Sequence, residues 1–134
     1  MPPPMNAALE FHDSEVSAVQ LKDGDLLISF SAAYVHRSEG VSGADAGSGY
    51  AQALVMLLQR ATWSGALQSC FGRLSDGHVL EGEKRLRLVS LPYESARPVR
   101  VELVFQNGET LAATAERATI RFVGEPRFVE SFRC

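Results

Sequence analysis

Cysteine is scarce in this chain, and its positions exclude a cysteine-based metal site. Cys70 and Cys134 are far apart in the 134 residues and form no CxxC pair or other metal-ligand spacing. Cys70 precedes an aromatic residue in an apolar setting, where burial raises the pKa of a thiol and makes it inert. We therefore expect reduced thiols and a cytoplasmic protein.

Long runs of basic or apolar residues are also absent. The 13 basic residues are scattered through a chain of net charge −3, so we expect no nucleic-acid partner. The longest apolar run, ALVMLL at 53–58, is far shorter than the ~20 residues that cross a bilayer. The opening MPPPMNAA lacks the basic and apolar regions of a secretory signal. The sequence therefore predicts neither a membrane protein nor a secreted one.

The remaining composition is that of a folded domain. Hydrophobic residues make up 46% of the chain and charged residues 22%, and this length fits one domain with its own core. Three prolines predict a disordered or loosely packed lead over residues 1–7. A single β domain is predicted over 8–134. It contains a flexible loop at 38–49, because SEGVSGADAGSG is rich in glycine and serine.

The first predicted hairpin is defined by strict alternation of apolar residues on both sides of a turn. Residues 25–37 alternate with a period of two, and SAVQLK precedes them across Asp23-Gly24. Both positions of a two-residue turn need positive φ, which Asp-Gly provides. Matching the apolar faces sets Leu21 opposite Leu26, and the same register sets Val19 opposite Ile28.

A later hairpin needs a longer loop. If Asn107-Gly108 alone formed the turn, Leu111 would face the wrong side of the sheet. A three-residue loop over 106–108 sets Leu103 opposite Leu111 instead, and Val101 opposite Ala113. We therefore predict that Gly108 is a bulge residue in the left-handed region.

Further turn signals predict more strands. A third hairpin is predicted at Asp76-Gly77, and strands are predicted at 85–91, at 118–123 and in the C-terminal RFVESF. The segment 50–61 is ambiguous: its spacing fits a short helix, whereas its continuous apolar run and its neighbours favour a buried strand. The predicted fold is all-β, an antiparallel sandwich or small barrel built from hairpins.

The stretch LEFHDSEV at 9–16 contains groups that bind metals or transfer protons. On a regular strand His12 points away from Asp13 and Glu15, and two carboxylates alone make a poor transition-metal site. In a turn, Asp13 or Ser14 would accept backbone amides. We favour this structural interpretation, with Phe11 and Val16 as core anchors.

The other histidines, His36 and His78, lie at the end of a strand and after a turn. They complete the set of metal candidates, which is His12, Asp13, His36 and His78. No HxH pair makes a metal site specific, so no metal or other cofactor is predicted.

Several segments with superficial resemblance to functional motifs are better explained structurally. GADAGSG lacks the lysine of a phosphate loop, and TWSGA is not a nucleophile elbow. Trp63 and Phe71 are expected in the core. Around RFVESF, Glu125, Arg127 and Glu130 are expected to form a salt-bridged strand edge, with a partner-facing charged edge as the alternative.

The segments FHDSEV, RLSDG, LVSLPYE, VRVELVFQNGETL and GEPRFVESF resemble, in that order, a group of small uncharacterised bacterial proteins. The resemblance implies a bacterial all-β domain of unknown function, and it implies no catalytic residue. A looser similarity of the FHD-type opening extends to immunity proteins of toxin systems.

Two functions remain open. The first is a non-catalytic binding module that takes a protein partner or a second copy of itself, since strand edges invite pairing. The second is a β-barrel that binds a small molecule or metal near His12. Asp13 and His36 would belong to this site, and the 38–49 loop would act as its lid. An enzyme is the less favoured class.

Overall fold

The computed structural model describes residues 6–38 and 47–132, which form β-strands and one 3-10 turn. The described elements are β1 (Asn6–Lys22), β2 (Asp25–Ser38), β3 (Gly47–Gln59), β4 (Thr62–Ser64), the 3-10 turn (Leu67–Ser69), β5 (Gly72–Glu81), β6 (Lys84–Leu86), β7 (Leu88–Leu91), β8 (Tyr93–Glu94), β9 (Val99–Phe105), β10 (Thr110–Ala115), β11 (Arg117–Phe122) and β12 (Arg127–Phe132).

The strands form a curled antiparallel sheet, a half-barrel around one core. The strand order is β4-β10-β9-β5-β1-β2-β3-β11-β8, with β12 on β3, β6 on β5 and β7 on β1. β5 pairs first with β1 and then with β9, so one strand joins the two halves of the curl. The predicted all-β class is confirmed. Below, the outer face of the sheet is the face turned away from the core.

Both registers predicted from turn chemistry are confirmed. In the first hairpin Leu21 lies opposite Leu26, and Asp23 and Gly24 have φ of 53° and 84°. In the later hairpin Leu103 lies opposite Leu111. The same ladders set Val19 opposite Ile28 and Val101 opposite Ala113, and Gly108 has φ of 96°. Local turn geometry and apolar alternation thus determine these pairings.

The predicted hairpin at Asp76-Gly77 is wrong. β5 runs through both residues, and the chain turns later, where Glu81 pairs with Lys84. Gly77 is needed for packing instead, because a Cβ there would lie 2.8 Å from Cβ of Phe11. Glycine in a strand often marks such a close approach.

The ambiguous segment 50–61 is a strand over most of its length. Leu54, Met56 and Leu58 of β3 are buried at alternate positions, and β3 pairs with β2 on one side and with β11 and β12 on the other. The strands predicted at 118–123 and in RFVESF are present as β11 and β12. The strand predicted at 85–91 is divided into β6 and β7, because its two halves pair with β5 and β1 respectively.

The predicted irregular segments are shorter than expected within the described residues. Asn6 and Ala7 belong to β1 rather than to the lead, and Ser38 and 47–49 belong to strands rather than to the loop. Close approach explains the glycines there, because a Cβ on Gly49 would collide with the Tyr34 ring. The rest of both predicted segments, 1–5 and 39–46, lies outside the described residues, as does Cys134.

Trp63 and Phe71 were expected in the core and are not there. Their exposed fractions are 36% and 53%. Trp63 lies on β4, a three-residue strand that pairs only with β10 among the described residues. The buried aromatic side chains are Phe11, Phe30 and Phe105. Within 6–38 and 47–132, no helix has the length and apolar character needed to cross a membrane.

Candidate functional site

The LEFHDSEV stretch forms a wide bulge in β1. Glu10 pairs with Tyr34 and Glu15 with Ala32, so residues 11–14 lie opposite a single residue of β2. The backbone at Asp13 has φ of 69°, a conformation that aspartate tolerates better than most residues. The bulge breaks the alternation assumed from sequence, and the expectation that His12 points away from Asp13 is therefore wrong.

Two residues of the bulge turn inward and fix it to the core. Phe11 is 1% exposed and Ser14 is fully buried. Ser14 Oγ accepts the Tyr34 backbone N–H at 2.8 Å and donates to the Glu10 carbonyl at 2.5 Å. The structural interpretation of Ser14 as an acceptor of a backbone amide is confirmed. Phe11 is confirmed as a core anchor, as is Val16.

The predicted metal candidates are paired separately. His12 Nδ1 lies 3.3 Å from an Asp13 oxygen. The Nε2 atoms of His36 and His78 lie 3.2 Å and 3.0 Å from carboxylate oxygens of Glu10 and Glu102 respectively. Within the described ranges, no group of three or more His, Cys, Asp or Glu residues has a geometry that could hold a metal ion.

On the outer face, the bulge forms one wall of a pocket of about 380 Å³. The pocket crosses five strands, because β5, β1, β2, β3 and β12 all contribute side chains. Its apolar part consists of Ala32, Ala51 and Val129, beside the fully buried Ala33. Its polar part consists of Asp13, Glu15, Tyr34, Arg73 and Glu130. We call this cavity the outer pocket.

The outer pocket has an excess of negative charge. It contains the carboxylates of Asp13, Glu15 and Glu130, and among the described residues that line it Arg73 is the only cation. No ion pair within 4 Å joins Arg73 to these carboxylates in the part of the chain that the structure describes. The pocket can therefore accept a further positive charge.

Tyr34 connects the bulge to β12. Its hydroxyl donates a hydrogen bond to Glu130, and its ring meets the His36 ring edge-on, with centroids 5.2 Å apart. Burial raises the pKa of Tyr34 far above its ordinary value, and the bond to the Glu130 carboxylate raises it further. Tyr34 thus keeps its proton and acts as a hydrogen-bond donor.

A second outer-face pocket, of about 440 Å³, contains His12 itself. Glu10, Asp76, Arg87 and Leu88 line it, together with Ser75 and Gly77. It thus combines charges of both signs with an imidazole. His36 and His78 do not line it.

Sequence reasoning found only part of the outer pocket. The sequence marks Asp13 and Glu15 as polar residues of the opening stretch, and Glu130 as part of a charged edge. Tyr34 and Arg73 were missed, and no local signal marks them, because pairing between distant strands brings them to the pocket.

The Cys70 thiol provides a direct test of the core at the start of β5. Burial raises the pKa of this fully buried thiol to about 11, and the charge of Glu109 adds to the shift. In a Cys134→Ser variant near pH 8, we expect Cys70 to react with a disulfide reagent about a hundredfold more slowly than in denaturant. Equal rates in the two conditions would show that the thiol is not buried.

Comparison of the sequence with known protein families, with curated proteins and with solved structures finds no match. The resemblance to small bacterial proteins therefore stays a prediction.

Proposed function

We propose that the protein is a non-catalytic interaction module whose outer pocket binds a basic side chain of a protein partner. The observation that carries this proposal is the pairing of an apolar floor with an acidic rim. Ala32 and Ala51 are half-buried and form the floor, whereas Asp13 and Glu15 are exposed and belong to the rim.

Lysine and arginine have this same division of chemistry. Their aliphatic stems pack on apolar surface while the charged head stays near water or a carboxylate. In the outer pocket, a stem would pack on Ala32, Ala51 and Val129. The head would meet Asp13, Glu15 or Glu130. Opposite charges of this kind contribute mainly to specificity and to the association rate.

The state of Tyr34 supports binding rather than proton transfer. General bases work best with a pKa near the operating pH, and the pKa of Tyr34 is raised away from that range. Its hydroxyl already donates a hydrogen bond to Glu130.

We further propose a cytoplasmic location, because the Cys70 thiol is free. The partner that we propose there is a protein, not a nucleic acid or a membrane.

A matched peptide pair tests the proposal. The probes are Ac-Gly-Arg-Gly-Arg-Gly-NH₂ and the same peptide with citrulline, which keeps the shape of arginine without its charge. We expect the arginine peptide, but not the citrulline peptide, to shift the amide NMR signals of Asp13, Glu15 and Tyr34. Asp13→Asn/Glu15→Gln should weaken this binding about fivefold or more, because it removes two carboxylates of the rim.

The control variant Glu83→Gln/Glu94→Gln removes the same charge from exposed positions outside the outer pocket. It should bind the arginine peptide like the wild type. If both variants weaken binding of the arginine peptide equally, the effect is due to net charge alone. If the citrulline peptide causes the same NMR shifts, the pocket does not recognise a basic group.

The second candidate is a small-molecule site in the pocket that contains His12. The observation in its favour is the presence of Glu10, His12, Asp76 and Arg87 in one cavity. Binding of a small molecule from a fragment screen, with that binding abolished by His12→Ala, would favour this candidate. Binding of the arginine peptide at the outer pocket would favour the first.

A further inference from the structure

We propose that β12 is a self-complementary edge through which two copies of the chain pair antiparallel. This inference deepens the proposed function, because it names a partner for the outer pocket: Arg127 of a second copy. It starts from the edge itself. β12 pairs with β3 on one side, and no strand within 6–38 and 47–132 pairs with its other side. Such an edge presents backbone groups to another strand.

A bulge in β12 determines which side chains share a face. Arg127 pairs with Ala51 and Glu130 with Gly49, so Val129 is an extra residue between them. A regular strand would place Arg127 and Glu130 on opposite faces, because they are three positions apart. Across this bulge, both lie on the outer face.

The neighbouring strand confirms this placement of the two charges. Ala51, the partner of Arg127, lies opposite Tyr34, whose hydroxyl bonds to Glu130. The carboxylate keeps capacity for a further bond, since an ionised carboxylate accepts several. Neither Arg127 nor Glu130 forms an ion pair within the described residues. The salt-bridged edge expected from sequence is therefore not what the described residues form.

A second copy satisfies both charges at once. A two-fold axis perpendicular to the sheet reverses the strand and keeps each face, so a residue can pair only with one on the same face of its partner. With Arg127 and Glu130 on one face, each Arg127 can lie opposite Glu130 of the other copy, and the pair forms twice. Between them lie Phe128 and Val129, which are 61% and 50% exposed in the single chain.

The same arrangement supplies the outer pocket. Glu130 and Val129 line that pocket, so an arginine of the second copy placed opposite Glu130 reaches the pocket rim. A bulge and charged side chains on an edge strand discourage unspecific pairing. In β12 they favour one partner, a copy of the same strand that runs in the opposite direction. Because the edge is short, we expect a weak dimer, with a Kd in the micromolar range or above.

Charge reversal with mixing tests the pairing. Sedimentation velocity of the wild-type chain, from micromolar to near-millimolar concentration, should show a reversible monomer–dimer equilibrium. Either variant on its own, Arg127→Glu or Glu130→Arg, would bring like charges opposite one another at two places in its homodimer. Each should raise the dimer Kd about tenfold or more. An equimolar mixture of the two variants restores both opposite-charge pairs and should form a heterodimer at least as readily as the wild type dimerises.

The mixture also separates loss of pairing from loss of folding, because two misfolded variants would not recover a defined dimer. A wild-type chain that stays monomeric throughout would overturn the inference and leave the edge to a strand of another protein. Single variants that dimerise like the wild type would overturn it too. If the arginine peptide still binds a monomeric chain through Asp13 and Glu15, the proposed function stands without it. If the chain forms a charge-dependent dimer but binds the arginine and citrulline peptides alike, the inference about β12 stands and the proposed function fails.

Discussion

Phe11→Ala is expected to lower the free energy of unfolding by about 3–5 kcal/mol, the usual cost of removing a buried phenylalanine. Phe11 is 1% exposed, and its ring packs over Gly77 of β5 so closely that no side chain fits there. The substitution leaves a cavity where β1 and β5 meet. Urea denaturation followed by tryptophan fluorescence or circular dichroism measures the change in stability.

Phe71→Ala is the matched control, because it deletes the same side chain from a position that is 53% exposed. We expect a loss of less than about 1 kcal/mol there. A Phe11 loss no larger than the Phe71 loss would mean that the opening stretch is not anchored in the core. The bulge that positions Asp13 would then lack its support.

What the sequence predicts well in this protein is what local chemistry determines. The Asp23-Gly24 turn and the loop before Glu109 specify their own backbone geometry, and apolar alternation then specifies the register. Asp76-Gly77 has the same dipeptide as the first turn but lies inside β5. The difference is Phe11, a residue far away in sequence that needs the space of a glycine.

The candidate site was less predictable, because strand pairing assembles it. Asp13 and Glu130 are separated by most of the chain and share a pocket only through β2 and β3. Neither bulge can be predicted from alternation, because an inserted residue exchanges the faces of the residues that follow it. For that reason alternation places His12 and Asp13 on opposite faces, and nothing in the sequence indicates that Arg127 and Glu130 share one.

These two bulges together determine which charged side chains line the outer pocket. The bulge in β1 turns Asp13 outward while Ser14 turns inward. The bulge in β12 brings Glu130 to the same pocket. Bulges next to functional sites commonly re-aim side chains in this way. In this protein they concentrate negative charge beside small apolar residues, which is the arrangement that the proposed basic partner requires.

Ser14→Ala is expected to destabilise the protein by about 1–3 kcal/mol, although it removes one oxygen atom. Ser14 is fully buried, and its hydroxyl bonds both the Tyr34 N–H and the Glu10 carbonyl. Alanine would leave both partly buried backbone groups without these bonds, and an unsatisfied buried group bears a desolvation cost. Urea denaturation measures the loss, and hydrogen exchange at the Tyr34 amide locates it.

Ser17→Ala is the control, three positions along the same strand. Its hydroxyl donates to the Ser29 carbonyl at 3.1 Å from an exposed position, where water can replace it, so the expected change is within about 0.5 kcal/mol. If Ser14→Ala proves equally mild and the Tyr34 amide stays protected, the bulge is held by packing around Phe11 instead. If Tyr34 loses protection as expected, the same variant should also weaken the arginine peptide, because Tyr34 connects the bulge to Glu130. Stability and recognition would then depend on one buried hydroxyl.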